Sequence, residues 1–135
     1  MLHIVLQAVL RYLPELPLYL LVVAATHLVM SLAQTLLHFG LGHHPIGGRL
    51  FRNHINYHHA YYCKDHMVSD RYRGEEGNNT PYFMIPVLLV GTASYFLLPF
   101  DLFLVQTAAC AASFYAHVFF DTAYHVDRSW LQRFA

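Results

Sequence analysis

The sequence predicts an all-α fold: an integral membrane helical bundle of about three spans, one span plus a helical hairpin, carrying a cytosolic histidine-rich face. Three observations lead there. Leu16 to Leu41 contains no charged residue, Pro81 to Phe120 contains only Asp101, and the chain has 11 histidines against 8 Lys and Arg in 135 residues. Charged residues make up 12% of the chain, about half the share of a water-soluble domain. The formal net charge is zero, so no basic surface points to nucleic acid.

The length suits a single domain. Within it, residues 1–14 read as an interfacial helix, because Leu2, Val5, Leu6, Val9, Leu10 and Leu13 recur at helical spacing. Arg11 stands mid-segment rather than at the start, and no small-residue cleavage site follows, so this is not the pattern of a cleaved signal. Residues 15–41 form the first span. The 26 uncharged positions from Leu16 exceed the ~20 a helix needs to cross a bilayer. Thr26, His27, Ser31, Gln34 and Thr35 give it polar points, which in a span face other helices.

Residues 42–80 are polar and hold Arg49, Arg52, Lys64, Arg71 and Arg73, with an exposed turn over 74–81. Residues 81–120 are too long for one helix and suit two. Proline disfavours helix in the residue before it, and Asp101 can cap a new helix, so the break falls in Leu98-Pro99-Phe100-Asp101. The predicted hairpin is 82–98 and 102–120. A hairpin crosses and returns, so residues 121–135, the start of a further helix, share a side with residues 42–80. Seven of the eight basic residues then lie on that side, which the positive-inside rule assigns to the cytoplasm. Cys63 and Cys110 are far apart and form no CxxC, so reduced thiols are expected.

The histidines are patterned. His38 and His43 form an HX4H pair where the first span ends, with His44 adjacent and Gly40 and Gly42 allowing the backbone to bend. His54, His58 and His59 form an HX3HH box, in which His54 and His58 share a helical face and His59 is turned by about 100°. Imidazole suits Fe, Zn, Cu and Ni. Five such residues exceed the four ligands of one tetrahedral site, so two metals are implied. His117, Asp121 and His125 recur at i, i+4, i+8, one stripe on the returning helix, with Asp121 a ligand or an orienting partner. His66 reads equally as a loop residue or as an outlying ligand. His3 and His44 read as interfacial polar residues, and His27 as a helix–helix hydrogen-bond partner.

These residues resemble the fatty acid hydroxylase / sterol desaturase superfamily of membrane histidine-box di-metal oxygenases. His38 and His43 match its first box at the end of a membrane helix, and His54, His58 and His59 its second. Residues 81–120 match its hairpin, and His117 and His125 the later histidines. The resemblance covers residues 36–67 closely and 114–133 loosely. Asp121 stands where some members carry a histidine. The family's last box would lie beyond Ala135, so the chain is expected to be a fragment lacking those ligands. The resemblance implies an O2-dependent oxidoreductase that hydroxylates or desaturates a fatty acyl chain or sterol. Its cofactor would be two iron ions, with zinc able to occupy the same imidazoles. Its electrons would come from an external donor such as a cytochrome or ferredoxin system. Two other classes compete: a bis-histidine haem electron carrier, which needs paired histidines facing each other within the spans, and a metal transporter, which needs ionisable residues deep in several spans.

Overall fold

The structure, a computed structural model, describes residues 12–63, 66–72 and 80–126, with His3, Gln7 and Arg133 as isolated positions. The described residues are helical with connecting loops, and no strand occurs among them. The helix read over residues 1–14 and the segment after Val126 fall largely outside these residues, as does most of the turn at 74–81.

Helix α1 (Leu16–Leu37) is led in by a 3-10 turn, Leu13–Glu15, and carries Pro17 in its first turn. Proline is tolerated there because the first amides have no partner within the helix. The rod continues past Leu37 as a π-helical turn, His38–Gly42. After a 3-10 turn at Pro45–Gly47, a second rod begins. Its parts are α2 (Arg49–Asn53), a π-helical turn His54–His58 and a last α-helical turn His59–Tyr61. Helix α3 (Thr80–Leu97) contains Pro86, and α4 (Phe100–Val126) follows almost at once.

The hairpin thus forms at the predicted break, with two differences. Asp101 lies inside the first turn of α4 rather than ahead of it, and its Oδ2 accepts a hydrogen bond from the Tyr19 hydroxyl at 2.9 Å. α4 also runs on to Val126 instead of stopping at Phe120, since nothing between the two breaks a helix. His117, Asp121 and His125 therefore stand on one continuous helix.

α1 packs chiefly on α4, and α3 packs on α4. The α1–α4 pair is parallel. Tyr19 meets Asp101 at one end, His27 Nδ1 lies 3.0 Å from Ser113 Oγ midway, and Gln34, His38, His117 and Asp121 line one cavity at the other end. Two helices, spanning Leu13–Gly42 and Phe100–Val126, are long and apolar enough to cross a membrane. The apolar stretch of α3, Pro81–Leu97, is shorter, so among the described residues two helices reach that length, against an expectation of about three spans.

The buried residues are a mixture of polar and apolar, and many large apolar side chains are exposed. Thr26, Gln34, Ser94 and Ser113 are buried between helices, whereas Leu28 is 68% exposed, Leu89 68% and Phe96 78%.

Candidate metal centre

Each histidine box is built on a π-helical turn: His38 opens the first and His43 follows it, and His54 and His58 bound the second, with His59 next. The i→i+5 bonding of a π-turn widens the helix, and such turns are frequent at functional sites. In an α-helix His38 and His43, five apart, would diverge; here their Nε2 atoms are 3.2 Å apart. Gly40 and Gly42, expected to bend the chain between His38 and His43, lie within the first π-helical turn, and the chain reverses between the boxes after His44, at Gly47 and Gly48. A Cβ on Gly47 would sit 1.9 Å from the Leu41 carbonyl oxygen, and Gly48 has φ 58°. Gly42 has a different role, giving room to the His54 ring, which would lie 3.3 Å from a Cβ there. This reversal brings His54 Nε2 to 3.2 Å from His43 Nε2.

His38, His43 and His54 thereby form one group able to hold a metal ion. The His59 ring lies beside it, with centroids 4.9 Å from His43 and 4.6 Å from His54. Its Nε2 is buried without a hydrogen-bond partner. A buried, unpaired imidazole nitrogen among three others is what a bound cation would satisfy.

His58 belongs to a second group, with Asp121 and His125. Sequence spacing puts His54 and His58 on one face, and their rings do stack at 5.0 Å, but the ligand sets divide between them. The reason is tertiary: the end of α4 docks against 66–72. The Ser69 amide donates to the His125 carbonyl at 2.9 Å, and His125 Nδ1–H donates to the Met67 carbonyl at 2.8 Å. With Nδ1–H so engaged, the neutral tautomer presents Nε2 as its lone-pair nitrogen, the usual arrangement for a metal-binding histidine. Its Nε2 is 3.8 Å from Asp121 Oδ1, while Asp121 Oδ2 accepts a hydrogen bond from Tyr72. Tyr62, 2% exposed, stacks on the His125 ring at 3.9 Å, and its hydroxyl is 3.2 Å from Ser69 Oγ.

Burial, reinforced by neighbouring imidazoles, pushes His54 down to about 3. Burial likewise takes His58 down to about 4 against the opposing pull of Asp121, and it lowers His43. These rings are neutral at physiological pH, the form that binds metal.

His117 is exposed and outside both groups, though it lines the same cavity. His66 and His44 are exposed and in neither group. His27 makes the helix–helix hydrogen bond expected of it, with Ser113, rather than facing another histidine. Cys63 and Cys110 are both free thiols.

A cavity of about 260 Å³ adjoins both groups, lined by His38, His54, His58 and Asp121 and walled by Phe83, Phe114 and Val118. Gln34, 6% exposed, also lines it, and its Nε2 has no hydrogen-bond partner. Sequence reasoning saw Gln34 only as a polar point in a span, although it sits one helical turn before His38. It had no signal for Tyr72, which meets Asp121 across 49 positions.

Comparisons with protein-family models, with curated proteins and with solved structures find no match to this chain.

Proposed function

We propose that this chain is an integral membrane protein that holds two metal ions at one face of the bilayer. With O2 it would hydroxylate or desaturate a fatty acyl chain or sterol, as in the superfamily its histidine boxes resemble. The observation that carries this reading is the pair of ligand groups at the common end of two parallel apolar helices.

The exterior of these helices supports a lipid surrounding. Many large apolar side chains face outward and most of the buried helix contacts, Met30 apart, are polar or small, as in membrane bundles. About 20 residues of helix cross the ~30 Å hydrocarbon layer. Counting from Leu16 and Phe100, the layer ends near His38 and Asp121, so the ligands sit at the interface. The charge asymmetry puts that interface on the cytoplasmic side.

Iron at these groups, supplied with O2 and with electrons from a separate carrier, would provide the oxidising power that an unactivated C–H bond requires. The chain's own residues position the reactants. Phe83, Phe114 and Val118 offer an apolar wall to an alkyl segment arriving from the bilayer. The unpaired Gln34 amide offers a hydrogen-bond donor at the same cavity. Burial of His54 and His125 limits the access of water to those ligand nitrogens. The haem alternative loses ground because His27, the histidine deepest in the spans, is bonded to Ser113.

The test is elemental analysis of the chain purified in lipid nanodiscs, followed by mass spectrometry of lipids after incubation with a reductant and O2. The expected result is one metal for each of the two groups and a lipid product gaining one oxygen or losing two hydrogens. His58→Ala is expected to lower the metal content and His3→Ala to leave it unchanged. Equal loading in both variants, or no metal in the unmodified chain, overturns the reading.

A further inference from the structure

We propose that the two metal groups are chemically inequivalent. His58, Asp121 and His125 form an open two-histidine, one-carboxylate site at which small molecules bind, while His38, His43, His54 and His59 form a closed all-imidazole site. This rests on the two-metal reading above and assigns each site a different task.

The donor sets differ first. His58, Asp121 and His125 offer two nitrogens and one carboxylate oxygen. Among the described residues these three are the ligands of the group, the donor set of non-haem iron centres that take up O2 at their remaining positions. The other group offers three converging imidazoles, and the His59 ring adds a fourth beside them with its buried nitrogen unpaired. Four imidazoles fill a tetrahedral coordination sphere, so this site keeps fewer positions for an outside ligand than the three-ligand site does.

The supporting contacts differ as well. Each of two ligands in the carboxylate site is fixed by a partner outside it. Tyr72 holds Asp121 Oδ2, leaving Oδ1 on the His125 side, and the Met67 carbonyl holds His125 Nδ1–H. Such outer contacts orient a ligand set and tune its affinity. The cavity's apolar wall also continues from this site. Phe114, Val118 and Asp121 lie on one face of α4 at steps of four and three, so the alkyl-facing wall begins one turn from the carboxylate.

The test uses the full chain in nanodiscs, loaded anaerobically with Fe(II). Metal content is measured, and nitric oxide then probes for an open iron position through the half-integer-spin EPR signal of an iron nitrosyl. The unmodified chain is expected to hold two metals and give the nitrosyl signal. Asp121→Asn keeps the side-chain shape and an acceptor for Tyr72. It should lose the signal and one metal, an order of magnitude or more in occupancy at limiting iron, while Asp121→Glu restores the signal. His59→Gln and His43→Gln should lose the other metal and keep the signal. A nitrosyl signal that survives Asp121→Asn, or that disappears in His59→Gln, overturns the proposal, as does loss of both metals together from each variant while the thermal transition is retained. An unmodified chain with no metal instead overturns the two-metal reading itself.

Discussion

The two ligand groups are built by different means. His38, His43, His54 and His59 fall within 22 residues and converge through two π-helical turns and a glycine reversal. His58, Asp121 and His125 converge because α4 returns to the same end of the bundle and is tied to 66–72 by backbone, tyrosine and histidine contacts. The first group depends on local backbone geometry, and the second depends on packing between distant segments. The two should therefore fail under different substitutions.

The largest effect is expected at Tyr62. Tyr62→Ala removes a fully buried ring stacked on His125 and should cost about 3–5 kcal/mol, the range for deleting a buried aromatic. Thermal unfolding in detergent would read this as a clear drop in midpoint, with His125-dependent metal lost first. An unchanged midpoint would show that the stack does not support the second group.

Gly47→Ala strikes the first group. Its Cβ cannot coexist with the Leu41 carbonyl, so the backbone between the boxes must shift, at a cost of roughly 2–3 kcal/mol. Metal should be lost from the His38–His43–His54 side while the Asp121 side keeps its metal. Loss confined to the Asp121 side would contradict the assignment of this turn to the first group.

Tyr72→Phe should be milder. It removes only the hydroxyl that holds Asp121 and is expected to weaken metal at the second group about 10–100-fold. Competition with a chelator measures this, and equal weakening of both groups would erase the distinction drawn between them.

The last probe is pH, which touches both groups at once. His54 and His58 are held well below an ordinary imidazole, so the unfolded chain takes up their protons first as pH falls. Stability of the metal-free protein should be flat above pH ~6.5 and decline as pH drops from there toward ~4. His54→Gln should reduce that decline without abolishing it, because His58 remains. A profile that rises on acidification would show that these rings are not buried as neutral groups.

Much of this protein is readable from its residues in order. Uncharged runs of span length give α1 and the hairpin, Leu98-Pro99 gives the break, and the HX4H and HX3HH spacings identify histidines that do assemble. These features are local: hydropathy, proline stereochemistry and ligand spacing act within a few turns. Other features are not local. The division of His58 from His54, the exclusion of His117 and His66 from both groups, and the roles of Tyr62, Tyr72 and the Met67 carbonyl have no signature in spacing. Each depends on which segment the end of α4 meets, and that is fixed only when α1 and α4 pack side by side and bring residues 49 positions apart into hydrogen-bond contact. The residue order thus sets which side chains are available as ligands, and the parallel packing of two apolar helices sets how they are shared.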